Sequence, residues 1–278
     1  MLWCGRRVKK PFTASEIDFV EYLIHLVNIN SSYSVINTHT SMLMQTLPFF
    51  GASWCNNPTL IPRFMKGFFN IKPLPYKPNL TWDVSKVLKF ISTLMPLESL
   101  NLKMLTYKLI ALVALTTAAR AQTLSALYLN YMSLFHDKVS FTICSLLKTS
   151  RQGRRNPDIV IYKFDDSNLC ALSTLKEYIK RTEHLWKSSL LFVSFFNFEA
   201  VTTSTLARWL KCVLSLSGVD SCFKAHSYRS ASTSCAYKKG VSIKDIMETA
   251  NWTSARNFNK HYHKEVDNDN KFVNAILN

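Results

Sequence analysis

Basic and aromatic residues in the second half of the chain have the types and spacing needed for phosphate chemistry. Arg120 lies in an apolar run, Lys148 follows 28 positions later, and His226 and Arg229 are three positions apart, with Tyr262 further on. On a helix, a spacing of three puts both side chains on one face. Guanidinium groups can hold two phosphate oxygens at once, and histidine exchanges protons near neutral pH. The pattern therefore predicts phosphodiester cleavage by a tyrosine nucleophile without a metal.

The residues around His226 and Trp252 resemble those of the tyrosine recombinases, the phage-integrase-like enzymes. The runs 225–232 and 252–258 look most like the versions in eukaryotic mobile elements, such as DIRS-like and Ngaro-like retrotransposons and Cryptons. The resemblance covers roughly residues 81–265, and residues 14–72 more loosely resemble the helical core-binding domain. It implies that Tyr262 is the nucleophile and that Trp252 occupies the position of a catalytic His or Trp. The implied catalytic set is Arg120, Lys148, His226, Arg229, Trp252 and Tyr262.

Two features depart from the family pattern. Thr123 stands where the family often has an acidic residue, three positions after the first arginine. The interval from Trp252 to Tyr262 is ten residues, one longer than in the phage and bacterial enzymes, which would put His261 at the expected position of the nucleophile. We assign Tyr262 as the nucleophile, because only a tyrosine offers a phenolic oxygen.

Each of these residues also has a simpler structural interpretation when it is taken alone. Arg120 could be a structurally paired arginine, Lys148 an exposed hairpin lysine, and Trp252 a core aromatic residue. His226 could cap a helix, and Tyr262 could be an ordinary amphipathic tyrosine. The order and spacing of the whole set favour the catalytic interpretation.

The overall charge indicates a polyanionic partner. The chain of 278 residues carries 34 Lys and Arg against 18 Asp and Glu, a net charge of +16, and 47% of its residues are hydrophobic. A globular chain this basic typically binds nucleic acid or an acidic surface. We expect double-stranded DNA as the partner, with phosphate contacts from four basic residues, Arg151, Arg154, Arg155 and Lys224.

Composition also predicts what the chain lacks. The seven cysteines are scattered without a CxxC pair, so we expect reduced thiols and no metal site. The six glycines form no phosphate-binding loop, so no nucleotide cofactor is expected. There is no signal peptide and no apolar run of about 18 residues, so we predict neither secretion nor a membrane span. The expected compartment is the nucleus in a eukaryote and otherwise the cytoplasm.

Apolar periodicity predicts a mainly α protein with a small antiparallel β-sheet, of the α+β class. Two strands, 138–148 and 159–162, flank a basic turn and form a hairpin that places Lys148 at the exit of its first strand. The predicted helices are 16–28, 31–47, 57–69, 84–95, 104–119, 172–187, 202–216, 226–238, 242–249 and 253–262.

Three prolines within residues 73–80 mark a linker. It separates a helical DNA-binding domain at residues 1–72 from a catalytic domain at 81–278. The first domain could lack a helix at its N-terminus. The resemblance implies a homotetramer on two DNA sites, with the segment 267–278 docking on a neighbouring subunit. Besides an active recombinase of a mobile element, two alternatives stay open. One is a DNA-binding protein of recombinase descent that does not cut, and the other is a relaxing enzyme similar to type IB topoisomerases.

Overall fold

A computed structural model describes residues 2–6, 13–73, 80–148, 150–153, 155–252 and 265–266. The chain divides into two compact units, Met1–Pro78 and Asn79–Asn278. Helices dominate both units, and the second also contains a small antiparallel sheet, which confirms the predicted fold class. None of the helices within the described ranges has both the length and the apolar character needed to cross a membrane.

The first unit is a cluster of helices around a small apolar core. Its helices are α1 (Leu2–Arg6), α2 (Glu16–Asn28), α3 (Tyr33–Thr46) and α4 (Leu60–Ile71). The three predicted helices are confirmed to within a few residues, whereas α1 was not predicted. The apolar faces of α2, α3 and α4 meet in a core formed by Phe19, Leu23, Leu26, Ile36, Ile61 and Phe68.

Side-chain caps explain where two of these helices begin. Ser15 accepts a hydrogen bond from the Asp18 N–H while Asp18 accepts one from the Ser15 N–H, a capping box that starts α2. The start of α4 is capped by Glu16, whose carboxylate accepts hydrogen bonds from the N–H groups of Leu60 (2.6 Å) and Ile61 (3.1 Å). Burial acts to raise the pKa of Glu16, but these hydrogen bonds outweigh it and lower the pKa.

The second unit is built around one helix that is buried on all sides. This helix, α6 (Leu102–Thr117), has twelve buried residues. It follows α5 (Val84–Ser92), and it contacts four later helices and the sheet. A helix that is apolar all round belongs in a core, so the observed packing agrees with the sequence. The later helices are α7 (Ala121–Leu124), α8 (Ala171–Thr182), α9 (Thr203–Leu216), α10 (Ser227–Lys238) and α11 (Ile243–Thr249).

The antiparallel sheet has three strands in the order β2 (Met132–Leu134), β3 (Lys138–Phe141) and β4 (Ile159–Tyr162). Phe141 lies opposite Met132 on one side and Ile159 on the other. The prediction that the first strand of the hairpin continues to residue 148 was wrong, because pairing ends at Phe141. Beyond Phe141, the side chain of Asn156 donates to the carbonyls of Ile143 (3.3 Å) and Ser145 (3.0 Å). These carbonyls therefore accept hydrogen bonds from a side chain and not from a neighbouring strand.

A second strand pair connects the two ends of this unit. Strand β1 (Leu80–Thr81) pairs in parallel with β5 (Glu265–Val266). Trp82 follows β1 directly, and its indole N–H donates to the Ser227 hydroxyl at 2.8 Å, at the start of α10. The predicted helix 253–262, the predicted docking segment 267–278 and most of the predicted linker lie outside the described residues.

Candidate active site

The turn after α6 positions Arg120. Ala118 ends the helix in the left-handed conformation, with φ 48° and ψ 26°. Two residues later, Arg120 occupies the N-cap position of the short helix α7. Its side chain is half-buried, and it makes no hydrogen bond or ion pair with any residue in the described part of the chain. An arginine that follows the core helix and has no side-chain partner among the described residues is available to bind an anion.

The start of α10 brings His226 and Arg229 to the same place. His226 is exposed at the N-cap position, whereas Arg229 is 5% exposed one turn later. The Arg229 guanidinium donates to the carbonyl of Ala118 at 2.8 Å through Nη1 and to the carbonyl of Ala250 through Nη2. Because Ala118 ends α6 and Ala250 follows α11, Arg229 ties the first helix turn of α10 to the ends of two other helices.

Trp252 packs against Arg229. The centre of the Trp252 ring lies 4.6 Å from Cζ of Arg229, within the range of a cation–π interaction. The backbone N–H of Trp252 donates to the carbonyl of Met247 at 2.9 Å, which holds Trp252 close to the end of α11. The structure therefore brings Trp252 and Arg229, two of the predicted site residues, into contact.

A cleft of about 590 Å³ lies between the start of α7, one face of α9 and the start of α10. Arg120, His226 and Arg229 line it, and no Asp or Glu appears among the described residues of its lining. Five like charges in one cleft repel each other when no anion is bound. The cleft is therefore an anion site by charge. Its cationic residues are Arg120, Arg208, Lys211, Lys224 and Arg229.

A second, water-sized cavity of about 30 Å³ lies beside the cleft and is also lined by Arg120 and Arg229. Thr123 lines this cavity together with Thr249 and Asn251. The residue that departs from the family pattern thus lines the same cavity as both arginines. Among the described residues of the lining there is no carboxylate.

Lys148 belongs to the loop between β3 and β4, and its backbone reaches the edge of the cleft. The Lys148 N–H donates to Oε1 of Gln122 at 3.1 Å, and Gln122 lines the cleft. Within the loop, the Ser150 hydroxyl accepts from the Leu147 N–H (2.8 Å) and donates to Oδ1 of Asn156 (2.8 Å). These bonds give the loop a defined shape beside the cleft, and the Lys148 side chain is exposed.

The other predicted DNA contacts fall into two groups. Lys224 lines the cleft. Arg151 and Arg155 are exposed in the β3–β4 loop and do not line the cleft, and Nη2 of Arg155 lies 3.4 Å from the Asp158 carboxylate. Arg154 and the predicted nucleophile Tyr262 lie outside the described residues.

Tyr228, the tyrosine nearest to His226 in the sequence, is a poor nucleophile. It is 1% exposed, and its hydroxyl donates to the carbonyl of Leu210 at 3.3 Å. Burial raises the pKa of Tyr228 well above its ordinary value. A phenol that resists ionisation and faces the core cannot attack a phosphate in the cleft.

The sequence interpretation missed Arg208 and Lys211. Both lie on α9, three residues apart and therefore on one helix face, and both line the cleft. The sequence contained this signal, because Ala207, Arg208 and Lys211 form a small, basic stripe opposite the buried residues Leu206, Leu210 and Val213. This stripe has no spacing typical of a catalytic motif, so catalytic spacing alone does not reveal it.

No group of three or more His, Cys, Asp or Glu side chains that could hold a metal ion occurs within the described ranges. The exposed and buried cysteines there are all free thiols.

The fold, with the arginines and the histidine brought to one cleft, is that of a tyrosine recombinase. A sequence model of the phage integrase family matches residues 83–268. The chain belongs to the phage integrase family. No curated protein sequence matches the chain.

Solved structures of recombinases share this fold. The XerH site-specific recombinase bound to the palindromic difH substrate matches with a TM-score of 0.62 and 14% identity, over 95% of this chain and 72% of that chain. The integrase of transposon Tn1549 in complex with transposon right-end DNA matches with a TM-score of 0.60 and 11% identity, over 95% of this chain and 85% of that chain. A lambda integrase dimer bound to a COC′ core site matches with a TM-score of 0.58 and 15% identity, over 97% of this chain and 87% of that chain.

Proposed function

We propose that the chain is a site-specific DNA recombinase that breaks and rejoins DNA through a 3′-phosphotyrosine at Tyr262. One observation carries the proposal. The cleft collects Arg120, His226 and Arg229 with further cations, and its described lining contains no acidic side chain. A phosphodiester is the anion that such a set can both bind and activate, because two guanidiniums can oppose the charge that grows on phosphorus oxygens during attack.

The proposed reaction has two balanced transfers. The phenolic oxygen of Tyr262 attacks the scissile phosphorus, its proton leaves through His226, and the bond to the 5′ oxygen breaks. Arg120 and Arg229 hold the two non-bridging oxygens, and Lys148 gives a proton to the departing 5′ oxygen. The 5′-hydroxyl of a second duplex then attacks the phosphotyrosine and restores Tyr262. The energy of the phosphodiester is kept in the covalent bond, so the reaction uses no metal or nucleotide.

Trp252 supports this site by packing against the Arg229 guanidinium. Lys224 in the cleft, and Arg151, Arg154 and Arg155 of the β3–β4 loop, bind phosphates on either side of the cleavage point. Exposed cations of this kind supply affinity that is independent of base sequence and falls with salt.

The assembly we propose is a homotetramer on two DNA sites that integrates or excises a mobile element, in the nucleus of a eukaryote or otherwise in the cytoplasm. One of the similar structures is a lambda integrase tetramer bound to a Holliday junction, which supports this state. The segment 1–72 would be the core-binding domain, 73–80 the linker, and 81–278 the catalytic domain.

A covalent trapping assay tests the proposal. Duplexes with a nick just 3′ of each candidate position, drawn from a randomised library, lose the short 5′-hydroxyl fragment after cleavage and so accumulate the protein–DNA adduct. We expect an adduct in the presence of EDTA that Tyr262→Phe abolishes. Tyr162→Phe, which changes an exposed tyrosine on β4, is the matched control and should keep the adduct. An adduct that persists in Tyr262→Phe would contradict the assigned nucleophile.

A second candidate function is DNA binding without cleavage. It is favoured by Thr123, which leaves the cavity between Arg120 and Arg229 without a carboxylate in its described lining. The same assay separates the two functions. Salt-sensitive DNA binding by a folded protein that forms no adduct on any library member would establish the second one.

A further inference from the structure

The geometry points to two backbone carbonyls, at the ends of α6 and α11, as groups that orient Arg229. This inference rests on the proposed function, because it assigns Ala118 and Ala250 as positioning residues for an arginine of the cleavage site. Its basis is the pair of hydrogen bonds from the two terminal nitrogens of Arg229 to the carbonyls of Ala118 (2.8 Å) and Ala250.

Both acceptors are carbonyls that a helix cannot satisfy by itself. Ala118 is the C-cap residue of α6, and Ala250 is the C-cap residue of α11. Carbonyls at the last turn of a helix have no intrahelical donor and lie at the negative end of the helix dipole. A buried cation is therefore a favourable partner for both, and it links the two helix ends.

This arrangement fixes the plane of the guanidinium. Two acceptors on different terminal nitrogens set the direction of the group, and the Trp252 ring, 4.6 Å from Cζ, lies against it. Arg229 also lines the cleft beside Arg120 and His226. Its orientation is thus set before DNA binds, which is what efficient stabilisation of developing charge requires.

The choice of acceptor affects the charge of the site. A carboxylate beside Arg229 would cancel one of the positive charges that the phosphate has to meet. Peptide carbonyls are dipoles without net charge, so these two acceptors orient the guanidinium without cancelling its charge. Consistent with this, neither the cleft nor the small cavity has an acidic residue in its described lining, and Thr123 lines the small cavity together with both arginines.

The left-handed conformation of Ala118 is the feature that a substitution can test. Its φ of 48° is easy for glycine and unfavourable for a β-branched residue. Ala118→Gly should leave its carbonyl in place, whereas Ala118→Val should turn the peptide away from Arg229. Ala118 is buried, so the added volume needs its own control. Ala114→Val adds the same two methyl groups one turn earlier in α6, at a fully buried position.

Two measurements on the full-length protein test the inference. The first is NMR of protein labelled with ¹⁵N-arginine, without DNA, in which the Arg229 signal is identified by its loss in Arg229→Lys. We expect restricted rotation of the Arg229 guanidinium in wild type, Ala118→Gly and Ala114→Val, and faster rotation in Ala118→Val, which loses one of the two carbonyl acceptors. Folding of each variant is checked by circular dichroism at the same temperature.

The second measurement is the single-turnover rate of adduct formation at saturating protein, with the DNA dissociation constant. Ala118→Val should lower the rate by about 10-fold or more while the dissociation constant changes less than about 3-fold, since the loss is in transition-state stabilisation. Ala118→Gly and Ala114→Val should stay within about 3-fold of wild type in rate, because neither moves the Arg229 acceptor. In the Ala118→Val background, Thr123→Glu should recover part of the rate, because its carboxylate can replace the lost acceptor.

The outcomes separate this inference from the proposed function. Rotation of Arg229 in folded Ala118→Val that is as slow as in wild type, or a wild-type cleavage rate in that variant, would overturn the inference and leave the recombinase proposal standing. Restricted rotation in a wild-type protein that forms no adduct would contradict the proposed function.

Discussion

Replacing Arg229 by lysine should destabilise the fold, in contrast to the same change at Arg120. Lysine keeps the positive charge, but its single nitrogen cannot occupy both of the positions from which Nη1 and Nη2 of Arg229 donate to the carbonyls of Ala118 and Ala250. It also loses the flat contact with the Trp252 ring. At Arg120 no hydrogen bond or ion pair to the described residues is lost.

The magnitude follows from these contacts. A buried carbonyl left without a donor costs about 1–3 kcal/mol, and the lost cation–π contact costs roughly 0.5–2 kcal/mol. Arg229→Lys should therefore lower the free energy of unfolding by about 1.5–5 kcal/mol. Arg120→Lys should change it by less than about 0.5 kcal/mol, as substitutions that break no contact usually do.

Urea denaturation of both variants, followed by circular dichroism, measures this difference. Both substitutions should also reduce adduct formation by about 100-fold or more, because an ammonium group cannot hold two phosphate oxygens as a guanidinium does. The two variants should thus differ in stability but lose a similar share of their activity. Equal stability of Arg229→Lys and Arg120→Lys would refute the structural role given to Arg229.

Three further predictions concern pH, salt and a helix cap. Burial lowers the pKa of Lys108 to about 8. Between about pH 8 and 10 the unfolded chain therefore binds more protons than the folded one, so the free energy of unfolding should rise with pH. Urea denaturation of Lys108→Met should not show this rise. Arg208→Gln and Lys211→Gln should each lower the salt slope of DNA binding by about 1 in fluorescence anisotropy, whereas exposed Lys180→Gln on α8 should not. Glu16→Ala should lower the melting temperature of the first unit at pH 7, and the difference should disappear as the pH falls through the lowered pKa of this carboxylate.

The helices were largely predictable because their information is local. Ser15 and Ser32 cap α2 and α3 where the sequence placed these starts. The apolar run of α6 is long enough to mark a core helix from composition alone, and the structure confirms it. Caps and periodicity depend on residues a few positions apart, which a single sequence displays directly.

The sheet was predicted less well because its pairing depends on distant residues. Strand β2 has three residues, two of them exposed, and so leaves no alternating pattern. The end of β3 at Phe141 depends on Asn156, whose side chain takes the next carbonyls of the loop. Strand propensity alone continued the run past this point.

The residue types of the site were predictable, but the groups that hold these side chains in place were not. Spacing alone selected Arg120, His226 and Arg229, which the structure brings to one cleft. The acceptors of Arg229 are backbone atoms, and any residue type supplies a carbonyl, so no sequence pattern marks Ala118 or Ala250. The roles of all these residues in catalysis stay predictions until the reaction is measured.

The central claim is that Tyr262 forms the covalent bond with DNA, and peptide mapping of a trapped adduct tests it most directly. Cleavage before aspartate releases residues 245–266, a peptide whose single tyrosine is Tyr262 and which also contains His261. After nuclease digestion, tandem mass spectrometry should place the nucleotide phosphate on Tyr262. A nucleotide on His261, on any other residue of the chain, or on none would contradict the account.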